Sequence, residues 1–546
     1  VTADDAPRTF DKATKELIVG IGSTADTKDV SSHTARVDLR RPVPILCALV
    51  LGAIVAFQVA SVWPFTADDS YITLRYAREL AAGNGPVFQP GLRAEGCTTF
   101  LWMLLLALPH LVSWNAIAFG KWVGTALAFA WIGAAAAFTF RAARAGGANR
   151  PGFAAALAAT ALACLPSVGV HAVSGMETMA FALAVLALAG TCSAAVTDDS
   201  GRGAMIAALA LTAGLLRPEG HLIAAATAGV TATLLPAGVR GRFLRTLALG
   251  WVLPAVLFFV WRWSYYGQPL PLPFYIKMGA AGRLPGLGNV FRFVATSVPM
   301  LALAAPVLVR VPRHVRPLLA ASITLVAFDL FPEHIMGYHL RYLFPAFGPL
   351  AMLAGLGADR WLALAASGAR ATTPTSASRF APVLALAIAA VPIAGLANAV
   401  TDRRFYAQCL TRAHVALGND LARLPHGTVA LSDCGAIVYL SDWDAVDLVG
   451  LNDAHIARTG DRGPGYVFAR NPDVLVLTSA DSLTFRPFFW NTYETPLLDA
   501  ATRGGFRTVA RYRFHSGYHL WVLMRPGDPR AQALARTTHD ARADPR

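Results

Sequence analysis

Charged side chains are scarce in this chain. They make up 15% of its 546 residues, where soluble domains carry about 25%. With 55% hydrophobic residues and a mean hydropathy of +0.47, this shortage argues against an ordinary soluble enzyme or a disordered scaffold. Cysteine is sparse as well. The six cysteines form no CxxC pair and no metal-ligand spacing, so a zinc module or dithiol redox centre has no support. Three lie in apolar segments and read as small core residues. Cys409 and Cys434 fall in the polar C-terminal part, where a disulfide is open to them if that part faces an oxidising compartment. Walker A and GxGxxG-type phosphate loops are missing, as is any internal repeat.

What the chain has instead is apolar runs. Ile45 to Ala60, Gly124 to Ala137 and Ala381 to Ala399 approach the roughly 20 residues that span a bilayer. The fold class expected is an α-helical polytopic membrane protein with a C-terminal α/β domain. The net charge of +14 then reflects basic cytoplasmic loops facing anionic lipid, not nucleic-acid binding. Basic clusters fall at Arg36, Arg40 and Arg41; Arg141, Arg144 and Arg150; Arg202; Arg240, Arg242 and Arg245; Arg310, Arg313 and Arg316; and Arg360, Arg370 and Arg379. Placing them all inside requires Phe100 to Val112, about half a span long, to lie along the interface or re-enter. The crossings expected are Pro42–Trp63, Ile117–Phe140, Phe153–Val168, Thr178–Val196, Ala204–Leu216, His221–Leu235, Leu247–Trp263, Phe291–Val309, Leu318–Phe331, Leu343–Leu356 and Ala381–Val400. That gives about eleven spanning helices, a cytoplasmic N-terminus and an extracytoplasmic C-terminus.

Three parts follow: a polar, disordered cytoplasmic tail over 1–41, with no cleavable signal peptide; a membrane catalytic domain over 42–399, with an outer loop at 64–115; and an extracytoplasmic domain over 400–546. In the last, Thr428–Leu440, Val446–Leu451, Asp473–Thr478, Arg507–Phe514 and His519–Met524 read as strands, and Leu410–Leu424 as a helix.

In this topology the outer loops collect ionisable residues, each of which needs a local reason. The first loop holds the adjacent Asp68 and Asp69, then Arg75, Tyr76 and Glu95. Later loops hold Glu177 in SGMET, Arg217 and Glu219 in LLRPEG, Lys277 in YYGQPLPLPFYIK, and His339, Arg341 and Tyr342 in GYHLRYLFP. Bland readings exist for each. The aspartates suit a helix N-terminus near Tyr71, with Asp69 the better placed cap. Arg75 suits a helix ion pair, RPEG a structural turn, and Lys277 a snorkelling lysine.

The sharper reading is an active site at the membrane–water boundary. Arg217, Lys277, Arg341 and His339 hold the phosphate of a polyprenyl-phosphate sugar. Asp68 or Asp69, with Asp68 favoured, takes the proton of an acceptor hydroxyl. Arg75, Tyr76, Glu95, Glu177, Glu219 and Tyr342 shape the substrate site. One base and direct displacement invert the anomeric centre. No metal site is expected from these loops, although a divalent cation on Asp68 or Asp69 is compatible with them. A lipid or sugar transporter or flippase is the rival class. Transporters place ionisable groups at the bilayer midplane on broken helices, often with repeats, whereas here they gather at one face.

DDSYITLRYARELAAGNGPVFQPGLRAEGCTTFLW resembles the first-loop signature of GT-C membrane glycosyltransferases. The likeness continues through SGMETMAFAL, LLRPEG, YYGQPLPLPFYIK, LRYLFPAFGPLAMLAGLG and GAIVYLSDWDAVDLVGLND, over roughly Asp68 to Asp453. Within that family it is most similar to the group of the mycobacterial terminal β-(1→2) arabinofuranosyltransferase and its bacterial relatives. The resemblance implies a transmembrane GT-C core with a periplasmic cap domain, in a bacterial cytoplasmic membrane, and an undecaprenyl- or decaprenyl-phosphate sugar donor. It implies inversion, a catalytic first-loop aspartate pair carried here by Asp68 and Asp69, and a cell-envelope glycan acceptor. Relatives often carry Tyr-Thr-Asn where this chain has Cys97, Thr98 and Thr99, which leaves the sugar, and acceptors such as lipid A or pilin protein, open.

Overall fold

A computed structural model describes residues 42–278, 284–333, 335–368 and 395–540. Two units result, Val1–Leu46 and Cys47–Arg546. Of the first, only its last five residues are described, and they are helical. The expected disordered tail lies outside the described residues, as does most of the expected Ala381–Val400 helix.

The second unit is mostly helical. Five helices among the described residues are long and apolar enough to cross a membrane: Ile45–Val62, Ala116–Ala145, Thr178–Asp198, Ala237–Tyr266 and Leu287–Val309. Pro151–Ala163 and Ser167–Val173, bent by 65°, make a sixth if counted as one span. The chain is a multi-pass membrane protein. The half-length Phe100–Leu111 and Gly203–Leu216 are shorter apolar helices.

Two sequence boundaries need correction. Arg240, Arg242 and Arg245 sit on a helix, Ala237–Leu247, that runs into the next span through a π-turn at Ala248–Val252. Pro254 follows directly; its ring excludes a regular i→i−4 bond, and the wider turn absorbs it. The helix expected from Leu343 begins at Phe347 and runs to Gly368, after a 3₁₀ turn at Phe344–Ala346.

Small residues let these helices approach closely. A Cβ on Gly355 would stand 2.3 Å from the Ala154 carbonyl oxygen, and one on Gly357 2.1 Å from that of Leu303. Trp131, Phe344 and Phe347 are buried between the helices.

The C-terminal region is a five-stranded sheet with flanking short helices. Its strands are β1 (Thr428–Leu431), β2 (Asp444–Asp447), β3 (Val474–Ser479), β4 (Arg507–His515) and β5 (Tyr518–Met524). The order is β2-β1-β3-β5-β4, with β1 parallel to both neighbours and β5 antiparallel to both of its own. The hairpin at Ser516–Gly517 is as expected. The single strand expected over Thr428–Leu440 is not: β1 stops at Leu431, and Ala436–Ser441 is a helix. A short apolar, β-branched run does not by itself separate the two. Cys409 and Cys434 are buried free thiols, so the disulfide option is corrected.

Candidate active site

Asp68 and Asp69 open the helix Asp68–Ala81, whose N-cap is Ala67. Neither aspartate caps it, which corrects the capping reading for Asp69. Instead, the helix start is fixed by the SGMET segment: the Ala67 N–H donates to the Ser174 carbonyl at 3.0 Å. Gly175 follows at φ +79°, and a Cβ there would stand 2.9 Å from Ser70 Oγ. The glycine therefore serves both the left-handed turn and the close approach.

With that turn in place, the two aspartates face different partners. Asp69 Oδ2 lies 3.9 Å from Arg341 Nη1. Arg341 also reaches Glu177 at 3.2 Å, Glu177 lies 3.9 Å from Arg217, and Arg217 pairs with Glu219 at 2.6 Å. Four of the sequence motifs thus meet in one chain of alternating charge. The Tyr342 ring lies beneath both guanidiniums, 4.9 Å from Arg217 and 5.3 Å from Arg341. Burial pushes the Glu177 carboxyl up, but Arg341 and Arg217 outweigh it and hold it below the usual range. Arg341 is itself held protonated: burial opposes its charge and Glu177 more than compensates.

The cations are incompletely used. Arg341 Nε and Nη1 and Arg217 Nη1 are buried and donate no hydrogen bond among the described residues. Each buried orphan donor costs about 1–3 kcal/mol. All three sit on the two guanidiniums that share Glu177, and guanidinium N–H groups are chemically suited to an anion.

Asp68 faces the C-terminal region. Its Oδ1 accepts the Ala436 N–H at 2.9 Å. Gly435 lies flat against it; a Cβ there would come within 2.3 Å of both the Asp68 carbonyl oxygen and Oδ2. Next to it, His414 Nε2 and Asp433 Oδ2 are 2.8 Å apart, and the Tyr518 hydroxyl donates to the same Asp433 oxygen at 2.8 Å. Burial raises the Asp68 carboxyl to about 6; His414 opposes the rise and Asp433 adds to it. Asp68, Asp69, His414 and Asp433 line one cavity of about 730 Å³ between the helical and C-terminal parts.

A second cavity, about 470 Å³, is apolar, with Phe100, Met103, Trp251, Phe258 and Trp261 in its walls. Pro218 and His221, beside Arg217, line it too, so the charged chain runs from one cavity toward the other. At its rim Glu95 and Arg262 pair at 2.5 Å, and Arg262 also donates to the Pro269 carbonyl. Burial pushes Glu95 up to about 7 despite Arg262.

Other expected site residues stand elsewhere. Arg75 is buried and donates to the carbonyls of Phe88 and Val438 at 2.6 and 2.7 Å. The Tyr76 hydroxyl donates to the Ala94 carbonyl and accepts the Gly96 N–H, both at 2.7 Å. Both brace the first loop, Arg75 also fastening it to the C-terminal region, and line neither cavity. Lys277 ends the short helix Leu272–Lys277, whose Tyr275 and Ile276 line the polar cavity, without itself lining it. His339, at φ +48°, lies 3.9 Å from Asp402, outside the Arg341 cluster. Among the described residues no group of three or more His, Cys, Asp or Glu gathers as metal ligands.

Sequence reasoning missed His414, Asp433 and the Gly435–Ala436 pair. It also missed Arg262, although an arginine inside an apolar run is a signal.

The fold has known counterparts. The chain is similar to the terminal β-(1→2)-arabinofuranosyltransferase of Mycobacterium tuberculosis, 31% identical over 290 residues, covering 48% of this chain and 44% of that protein. It is also similar to the Corynebacterium glutamicum protein of the same name, 44% identical over 68 residues, covering 12% of this chain and 10% of that protein. The chain thus matches less than half the length of either. Among solved structures it resembles ArnT from Cupriavidus metallidurans bound to undecaprenyl phosphate, with a TM-score of 0.55 and 14% identity over 88% of this chain and 98% of that one. The chain shares its fold with that ArnT structure. Residues 404–534 match a model described as a domain of unknown function, DUF8728.

Proposed function

We propose that this chain is an inverting glycosyltransferase that moves a sugar, arabinofuranose as in its named relatives, from a polyprenyl-phosphate donor to a cell-envelope glycan. The observation that carries the reading is the set of orphan guanidinium donors on Arg341 and Arg217, next to a carboxylate pair. That arrangement suits a phosphate leaving group beside a base. The ArnT structure was solved with undecaprenyl phosphate, which supports the same donor class here. In this reading the prenyl chain occupies the apolar cavity, the phosphate meets Arg217 and Arg341, and the acceptor enters the polar cavity beside Asp68. Lys277 and His339 are secondary donor contacts at most.

Asp68 takes the proton of the acceptor hydroxyl. The hydroxyl oxygen forms its bond to the anomeric carbon as the bond from that carbon to the phosphate oxygen breaks. The electron pair leaves with the polyprenyl phosphate, and the two guanidiniums stabilise its charge. A carboxyl raised to about 6 is still mostly ionised at neutral pH, and is a better base than an ordinary aspartate. Glu177 keeps Arg341 and Arg217 from repelling each other while no donor is bound. The site faces the extracytoplasmic side, with about eleven crossings, a cytoplasmic N-terminus and the region from residue 400 outside; the distribution of basic clusters supports this.

The test is turnover with a synthetic prenyl-phosphate arabinofuranose and an arabinofuranose oligosaccharide. Product mass and the anomeric configuration by NMR are read together. Transfer with inversion is expected. Movement of intact donor across vesicles without any new glycosidic bond would replace this reading with transport.

A further inference from the structure

The polar cavity has a wall that the proposed chemistry does not use. It is made by the segment between β3 and the helix Glu494–Arg503. Phe489 and Trp490 stand at the surface, 85% and 55% exposed. Inward, the Phe488 ring stacks on Trp490 with centroids 4.7 Å apart and planes 4° apart, and on Tyr518 at 5.0 Å and 23°. The Tyr518 hydroxyl then holds Asp433, which pairs with His414 beside Asp68. A continuous line of rings therefore leads from solvent to the proposed base.

The segment is held in shape. Ser479 Oγ accepts the Arg486 N–H at 2.9 Å, and Asp481 Oδ1 accepts the N–H groups of Leu483 and Thr484 at 2.7 and 2.8 Å. At the other end Asn491 donates to Thr478 Oγ1 at 2.9 Å. Rings presented on an anchored segment lose little freedom on binding.

Polar groups are interleaved with the rings. Asn491, Tyr493 and Arg462 line the same cavity. Arg462 lies 4.6 Å over the Tyr493 ring, and its Nε is buried without a hydrogen bond among the described residues. Asn491 and Tyr493 already bond within the protein, but an acyl or prenyl chain laid here would leave Arg462 Nε buried and unpaired, which is costly. A sugar chain suits both features: its C–H face covers the exposed Trp490 ring and its hydroxyls accept from Arg462.

We propose that Trp490 and Tyr518, braced by the Phe488 ring stacked on both, form with Arg462 a carbohydrate-binding track that guides the acceptor glycan to Asp68. This deepens the glycosyltransferase reading and rests on it for the identity of the sugar.

The test reads binding without donor. The full chain in nanodiscs is titrated with an arabinofuranose hexasaccharide by calorimetry. Wild type should bind saturably. Trp490→Ala and Arg462→Ala should each weaken binding about tenfold, roughly the value of one good contact. Trp490→Phe should restore most of the affinity, and Trp490→Leu, of similar apolarity but without a ring face, should not. In the transfer assay the acceptor KM of Trp490→Ala should rise more than its kcat falls. Absence of sugar binding by the wild type, or equal binding by Trp490→Ala and wild type, overturns the track. So does a spin label on Phe489→Cys that reports a lipid environment, because the rings would then be a membrane anchor. Ring-dependent binding without any transfer would support the track while removing the transferase reading.

Discussion

The backbone N–H of Ala436 donates to Oδ1 of Asp68 at 2.9 Å, joining residues 368 positions apart. The C-terminal region thus does more than cover the aspartate pair: it fixes one oxygen of the carboxylate and leaves Asp69 to face Arg341. The contact depends on Gly435, since a Cβ there would meet Asp68 at 2.3 Å.

Gly435→Ala should therefore impair activity without touching any charged group. The segment must retreat by several tenths of an ångström or more, carrying the Ala436 N–H and Asp433 with it. Misplacement on that scale costs about ten- to a hundredfold in turnover. Initial rates at saturating donor, with thermal melting as the control, check it. A variant with normal turnover would show that the Asp68–Ala436 contact is incidental.

Activity should fall on the acid side as pH drops through about 6, because Asp68 must be ionised to accept a proton and burial raises its carboxyl to that value. The sign for stability runs the other way. A carboxyl raised on folding destabilises the native state above the unfolded-state value, so Asp68→Asn should melt no lower than wild type at pH 7.5. A pH–rate profile and melting curves give both readouts. An acid limb near 4 would mean that the essential base is an unperturbed carboxylate.

Arg341→Ala and Arg217→Ala should each reduce donor use about ten- to a hundredfold, the worth of a charge-assisted contact of roughly 1.5–3 kcal/mol. Lys277→Ala should do less, since Lys277 has no place in the chain that joins Arg341, Glu177 and Arg217. Donor kinetics with fixed acceptor resolve the three. Glu177→Gln belongs in the same series: with its counter-charge gone, Arg341 lies near Arg217 unscreened, and the protein should melt lower.

Arg262→Met should lower the melting temperature more than the double change with Glu95→Gln. Breaking a buried ion pair by removing one partner costs about 3–5 kcal/mol, whereas removing both charges is often nearly neutral. A thermal-shift double-mutant cycle checks it. Additive losses would show that the 2.5 Å pair is not coupled.

Much of this was legible in the chain. Apolar runs gave most of the helices, and the motifs carrying Asp69, Glu177, Arg217 and Arg341 do meet, because carboxylates and guanidiniums excluded from water find each other. The acidic half of the site was only partly visible. His414 sits on a π-turn at Thr411–Val415, and Asp433 between a strand and a helix that look like one strand in sequence. Nothing local marks Gly435 as the residue that must lie against Asp68. The line of rings at Phe488, Trp490 and Tyr518 was also hidden, because Tyr518 joins it only through the pairing of β5 with its neighbours. Arg75 and Tyr76 carried the right residue types in the right loop, but their donors are spent on backbone carbonyls.

The most direct measurement is sugar transfer by Asp68→Asn, scored by product mass with a synthetic prenyl-phosphate arabinofuranose and matched against Asp69→Asn. Asn keeps the size and accepts the Ala436 N–H, but it does not take up a proton at neutral pH. The account predicts a loss of about 10²–10⁴ in rate for Asp68→Asn with donor binding retained, and a smaller loss for Asp69→Asn that appears mainly in donor use. Transfer by Asp68→Asn at close to the wild-type rate would contradict it.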